Sequence, residues 1–120
     1  MSIVQTRPQQ LEEGLITFAT DTVLFARSLP SNPENKILTT QLIRAASSIG
    51  ANYTEANNAS SRIDFRNKIF IAKKEAAETR YWLRSIEKTN REVEASQLVD
   101  EVSQVLFILQ KIVSTLKNGK

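Results

Sequence analysis

The chain contains no cysteine and no histidine among its 120 residues. Without cysteine it cannot form disulfides, thiolate metal sites or a cysteine nucleophile. Without histidine it lacks the commonest general base and the commonest transition-metal ligand. A site built from carboxylates alone remains open, but Glu55 is the one carboxylate that the helical pattern directs inward. We therefore expect no catalytic residues, no metal and no cofactor.

Glycine, proline and long apolar runs are also scarce. Three glycines and three prolines give few turn signals, and no segment shows the alternation of a strand. No apolar run approaches the ~20 residues of a membrane span. The first residues, MSIVQTRPQQLEEG, lack the basic-then-apolar order of a signal peptide. The expectation is one all-α domain over residues 1–120, cytoplasmic and without a membrane partner.

Apolar and small residues recur at alternating steps of four and three, which is typical of helices packed at shallow angles. The pattern is clearest at Leu42, Ala45, Ile49, Asn52 and Ala56, and at Phe65, Ile69, Ala72, Ala76, Thr79, Leu83 and Ile86. Four such segments with short connections predict an antiparallel up-down-up-down four-helix bundle. We expect helices at about residues 8–29, 32–57, 61–88 and 92–117.

Pro30 ends the first predicted helix, and polar pairs mark the starts of the others. The predicted start signals are Ser31 with Glu34 and Thr89 with Glu92, both at capping-box spacing, and Ser61 with Asp64.

The third predicted helix holds the whole positive excess of the chain. Residues 60–89 carry eight basic and four acidic side chains, whereas the net charge of the full chain is +3. Arg66, Lys73 and Arg80 recur every seven residues, ~10.5 Å apart along the axis, and Arg62 and Arg84 extend this line. The functional interpretation is a stripe that tracks nucleic-acid phosphates. The alternative is a solvated flank whose cations pair with carboxylates on neighbouring helices.

Tyr81 and Trp82 adjoin Arg80 and Arg84 in this segment. Aromatic rings beside cations can stack on bases. A tryptophan next to a seam position is more often a packing residue, so the sequence favours packing.

Polar residues line the second predicted helix at and beside its seam. They are Gln41, Arg44, Ser48, Asn52 and Glu55. A polar side chain at a seam position, such as Asn52, costs stability and often specifies register. We expect Glu55 to accept from Arg62 or Arg66 across the turn, and the five residues to form a structural network.

Apolar residues beyond the predicted core form columns on three helices. They are Ile16, Val23 and Leu24; Ile63, Phe70 and Ile71; and Val99, Leu106, Val113 and Phe107. Scattered surface hydrophobes are common on monomers. Contiguous columns favour a second buried surface against another subunit, with Phe70, Leu106 and Phe107 as its candidate residues.

The segments QLIRAASSIGANYTEA and DFRNKIFIAKKEAAETRYWL resemble the small four-helix-bundle proteins named for intervening sequences in 23S ribosomal RNA genes. The resemblance covers about residues 11–116 and is sharpest over residues 41–86. Family-like positions are Gln41, Arg44, Ala45, Ser48, Ile49, Asn52, Glu55, Phe65, Ala72, Glu75, Glu78 and Leu83. The family pattern has glycine after the glutamate of helix two, where this chain has Ala56.

The resemblance implies a non-enzymatic bundle that assembles into cyclic oligomers, often pentamers. A related branch comprises the accessory variability determinants of diversity-generating retroelements, which form a basic barrel, bind RNA and partner a reverse transcriptase. Two hypotheses follow for this chain. It is an oligomeric adaptor that binds structured RNA electrostatically through helix three, or a protein–protein scaffold that contacts no nucleic acid.

The extra apolar columns and the resemblance together predict a homo-oligomer, with the number five coming from the resemblance. Native mass spectrometry at micromolar concentration should show a cyclic pentamer. A strict monomer would contradict both the ring and the interface role of Phe70, Leu106 and Phe107.

Overall fold

Four α-helices make up most of residues 8–119, the part of the chain that the computed structural model describes, with side chains described for residues 8–116. The helices are α1 (Pro8–Arg27), α2 (Pro33–Asn57), α3 (Arg62–Thr89) and α4 (Ser96–Gly119). No strand occurs within residues 8–119. The predicted all-α fold class is thereby confirmed.

Consecutive helices run antiparallel. The connections contain five, four and six residues, which span at most about 20 Å at ~3.5 Å per residue. The helices are about 30–40 Å long at ~1.5 Å per residue, so such a connection is too short to carry the chain back along a helix for parallel packing. Side-chain pairs agree with this, because Asn35 near the start of α2 bonds Asn90 just after α3, while Glu55 near the end of α2 pairs with Lys68.

The core is a stripe of aliphatic residues from each helix, and α2 and α3 share its most extensive contact. Alanines at this contact, including Ala45, Ala72 and Ala76, are fully buried and let the two backbones approach closely. The predicted seam residues of these two helices are buried, except that Phe65 and Asn52 are half-buried.

Gly50 lies where α1 approaches α2. A Cβ atom at this position would lie 3.3 Å from Cβ of Leu15. The missing side chain thus permits a closer contact than an alanine would at the same backbone position.

The few polar groups inside the core all have hydrogen-bond partners. Thr22 and Thr79 donate from Oγ1 to carbonyls one turn earlier, at 2.8 Å and 2.7 Å. Within residues 8–116, no buried side-chain nitrogen or oxygen lacks a partner. This satisfaction matters because an unpaired buried polar group costs about 1–3 kcal/mol.

A reciprocal amide pair joins the start of α2 to the end of α3. Asn35 Nδ2 donates to Asn90 Oδ1, and Asn90 Nδ2 donates to Asn35 Oδ1, both at 2.9 Å. Asn35 is buried and also donates to the carbonyl of Pro30 at 2.9 Å. One side chain therefore holds the α1–α2 connection and the end of α3 together.

The helix starts differ from the predicted signals in two of three cases. Ser61 does cap α3, since its Oγ accepts from the Asp64 N–H at 3.0 Å. The cap of α2 is Asn32 rather than Ser31, and its Oδ1 accepts from the Asn35 N–H at 2.8 Å. Pro33 follows as the first helical residue, which suits its fixed φ. Asparagine is as strong an N-cap as serine. The capping-box spacing therefore placed the cap of α2 one residue too early.

The fourth helix begins at Ser96, later than the predicted residue 92. Thr89 is the last residue of α3, and its Oγ1 donates to the Ser85 carbonyl at 3.0 Å instead of capping α4. Glu87 accepts from the backbone N–H of Ala95 at 2.9 Å and closes the intervening connection. The first helix is correspondingly shorter than predicted and ends at Arg27.

Replacing Leu83 with Ala should lower the free energy of unfolding by ~2–5 kcal/mol, because Leu83 is fully buried and truncation leaves a cavity. Ile37→Ala is the matched control, since Ile37 is 66% exposed and its loss should change stability by under about 0.5 kcal/mol. Urea unfolding followed by circular dichroism measures both. Equal effects of the two changes would contradict this core.

Candidate nucleic-acid interface

The outward surface of α3 carries cations and no carboxylate. At about 100° per residue, an arc of roughly 140° holds seven basic side chains, here called the cationic face: Arg62, Arg66, Lys73, Lys74, Arg80, Arg84 and Lys88. Five of the seven are exposed, and Lys73 and Arg80 are half-buried at the border with α4. The five residues predicted to bind nucleic acid all belong to this face.

The three glutamates of α3 point toward its neighbours. Glu75 and Glu78 both pair with Arg44 of α2, with 3.3 Å between Glu75 Oε1 and Arg44 Nη1. Glu87 accepts from the Ala95 N–H at the connection to α4. Because these carboxylates serve the helix contacts, they leave the cationic face without local neutralisation.

The cations of the face have no carboxylate partner within 4 Å among residues 8–116. Arg80 Nη1 donates to Ser103 Oγ of α4 at 3.3 Å, which is a neutral partner. The alternative interpretation of this stripe required pairing with carboxylates on neighbouring helices. The described side chains do not show that pairing.

Lys68 is the cation of this segment that does form an ion pair. Its Nζ lies 2.8 Å from Glu55 Oε1, and this hydrogen bond raises the pKa of the Lys68 amine. The prediction that Glu55 would accept from Arg62 or Arg66 was therefore wrong. Lys68 faces α2, whereas both arginines lie on the opposite flank of α3.

The polar residues of α2 form separate pieces instead of one network. Gln41 Oε1 accepts from Arg44 Nε at 3.3 Å, which extends the Arg44 cluster. Asn52 donates to the carbonyl of Ser48 at 2.9 Å, inside its own helix. Glu55 belongs to the distant pair with Lys68. Among the described side chains, no hydrogen bond or ion pair joins the Arg44 cluster to Glu55.

The Arg44 cluster reaches the aromatic pair of α3. Trp82 is half-buried against the core, and its indole N–H donates to Glu78 Oε2 at 3.1 Å. The ring of Tyr81 meets Trp82 edge to face, with centroids 5.0 Å apart and an interplanar angle of 77°. Trp82 is therefore a packing residue, as the sequence favoured, whereas Tyr81 is 62% exposed. The sequence did not predict that Glu75 and Glu78 pair with Arg44 or that Glu78 accepts from the Trp82 indole.

The residues predicted for the oligomer interface differ in exposure. Phe107 is 64% exposed and Phe70 is 37% exposed. Leu106 is half-buried and packs on the core of its own chain, and its role in an oligomer interface stays a prediction. Val113, in the same column, is buried. The core stripe of α4 is wider than the predicted seam and includes the positions beside it.

A depression of about 720 Å³ lies at the connection between α1 and α2 and has Lys36 as its charged side chain. No group of three or more metal-ligating side chains occurs in the part of the chain that the structure describes. Within that part, none of the helices combines the length and the apolar character that crossing a membrane requires.

The comparisons with known proteins point to one family. A family model described as 23S rRNA-intervening sequence protein matches residues 13–111. A crystal structure of a protein of unknown function from the S23 ribosomal protein family of Bacteroides thetaiotaomicron is similar, with 33% identity and a TM-score of 0.79. The match covers 90% of this chain and 98% of that one. No curated protein is similar enough to this chain to count as a match.

A double-mutant cycle with Arg44→Met and Glu78→Gln should give a coupling free energy of about 0.5–1 kcal/mol, because Arg44 bridges two carboxylates and one of them also holds Trp82. The matched cycle uses Glu55→Gln and Lys68→Met at an isolated pair, where we expect a smaller coupling because one solvent-exposed ion pair contributes little. Thermal unfolding of the parent protein and the variants of both cycles measures the two couplings. A larger coupling in the isolated pair would contradict the assignment of Arg44 as the central contact.

Proposed function

This chain belongs to the 23S rRNA-intervening sequence protein family, and we propose that it acts as a non-enzymatic, oligomeric adaptor that binds structured RNA. The proposed binding surface is the cationic face of α3. The observation that supports it most is the sorting of charge on this helix, with seven cations outward and the glutamates turned toward α2 and α4.

The face suits a phosphate backbone better than a compact acidic ligand. Arg66, Lys73 and Arg80 follow one another at about 10.5 Å along the helix axis, so together they cover about 21 Å, or nearly four helical turns. Phosphate contacts supply most of the affinity of such surfaces and carry no sequence information. Asn67, Tyr81 and Ser85 are the uncharged side chains with polar groups on the arc, so we expect little hydrogen-bond readout of bases.

Assembly would multiply the charge of this face. Phe107 is a large exposed apolar side chain of α4, outside the cationic face, and such a residue gains free energy when another subunit covers it. The family resemblance implies a cyclic arrangement, and we propose a homopentamer. A ring repeats the cationic face once per subunit, which compensates for the modest net charge of +3 on one chain.

The second candidate function is a scaffold whose ring docks another protein, such as a reverse transcriptase, without contacting nucleic acid. Exposed Ile63, Phe70 and Ile71 on α3 favour it, because apolar side chains add to protein interfaces. The genes next to the one that encodes this chain would distinguish two possible biological roles. An adjacent reverse transcriptase gene would support a retroelement role, and a ribosomal RNA locus would support the intervening-sequence role.

The change Arg66→Gln with Lys73→Gln and Arg80→Gln should weaken binding to a structured RNA by roughly tenfold or more at low salt. Glutamine nearly preserves helix propensity, so the fold should survive. The log–log slope of affinity against salt should also fall in magnitude, by about 0.7 to 0.9 for each phosphate that the variant no longer neutralises. Gel-shift titrations at several salt concentrations measure both quantities.

The matched control is Arg27→Gln with Lys36→Gln and Lys111→Gln, which removes the same charge from exposed positions outside α3. It should lose much less affinity than the α3 variant. Equal losses would reduce the effect to net charge and would remove α3 as the specific surface. Absence of RNA binding by the parent protein at low salt would favour the scaffold.

A further inference from the structure

A groove of about 370 Å³ lies on the outward surface of α3 near its C-terminal end. Its lining residues are Ala77, Arg80, Tyr81, Arg84, Ser85 and Lys88. Ala77 and Ser85 stand one turn before and one turn after Tyr81 on the helix, and their short side chains leave the space beside the ring open. The groove therefore combines an exposed aromatic ring, room beside it and three cations.

The ring of Tyr81 is supported from behind. Trp82 contacts it edge to face, and the Trp82 indole is fixed by its hydrogen bond to Glu78. Glu78 is in turn paired with Arg44 of α2. Trp82 does not line the groove, so the side of Tyr81 that faces the groove is free while the other is held. A ring positioned in this way loses little conformational freedom when a ligand stacks on it.

The cations of the groove follow the ring along the helix. Arg80, Arg84 and Lys88 are spaced by four residues, or about 6 Å per step along the axis. Long, flexible cationic side chains at this spacing can contact neighbouring phosphates of one strand. Proteins that bind single-stranded nucleic acids combine an aromatic ring with flanking cations in this way.

We propose that this groove holds an unpaired nucleotide of the bound RNA, with its base stacked on Tyr81 and its adjoining phosphates on Arg80, Arg84 and Lys88. This inference rests on the proposed RNA-binding function and refines its ligand. In a continuous duplex the base faces are covered by their neighbours, whereas loops and bulges present a free face. The structured RNA bound by this protein therefore exposes an unpaired base at the contact.

The test compares two RNAs of equal length and phosphate number, one a hairpin with a uridine-rich loop and one a blunt duplex. Each is titrated with the parent protein, Tyr81→Ala, Tyr81→Phe and, as a surface control outside α3, Ile37→Ala. We expect Tyr81→Ala to weaken hairpin binding between about 5-fold and 100-fold, which is the effect of losing one stacked base. Tyr81→Phe keeps the ring and should stay within about twofold of the parent protein.

Two further readouts separate stacking from charge. The salt slope for the hairpin should be the same for Tyr81→Ala and the parent protein, because no cation is removed. A 2-aminopurine placed in the loop should lose fluorescence on binding to the parent protein and much less with Tyr81→Ala, since its emission falls when it stacks.

Each outcome decides one of the two proposals. If Tyr81→Ala binds the hairpin as tightly as the parent protein while the α3 charge variant binds weakly, the stacking site is overturned and the electrostatic function stands. If Tyr81→Ala weakens binding of the hairpin and the duplex equally, the proposal that Tyr81 holds an unpaired nucleotide is overturned. If the parent protein binds neither RNA at low salt, the proposed function itself fails.

Discussion

The contact between α2 and α3 determines both the charge distribution on α3 and the position of its exposed aromatic ring. Small buried residues such as Ala45 and Ala76 bring the two helices close, and polar groups border the contact along its length. Asn35 with Asn90 marks one end of it, the Arg44 cluster its middle and Glu55 with Lys68 its other end. Alanine seams alone specify register weakly, because one small side chain resembles the next. These polar pairs join residues that only one register brings together.

The same contact decides which charges remain free. Residues 60–89 carry eight basic and four acidic side chains. If the four carboxylates were spread over the surface of α3, they would screen many of its cations locally. In this bundle the glutamates of α3 bind Arg44 and the connection to α4, which leaves the outward arc cationic. The function that we propose is therefore a consequence of packing. Carboxylates that stabilise the helix contacts cannot also screen the cations on the far side.

Aromatic residues of α3 show how one helix joins packing and surface. Trp82 packs on the core and Tyr81 points outward, although they are neighbours in sequence. Their edge-to-face contact connects the polar cluster of α2 to the groove that holds Tyr81. This connection gives the exposed ring a fixed position, which an isolated surface tyrosine would lack.

Residue type and helical period were enough to predict the helical fold, most of the core and the location of the positive charge. The seam residues of α2 and α3, such as Ile49 and Leu83, follow from steps of four and three. Residue type and helical period did not predict which side chains contact one another between helices. The rotation of α3 about its axis turns Lys68 toward Glu55 and turns Arg62 and Arg66 to the other flank. The apolar stripe of α4 is wide enough that Leu106 packs on the core of its own chain. Periodicity gives the angle of a residue around its own helix, whereas a contact depends on where the neighbouring helix lies, which only packing of the whole bundle fixes.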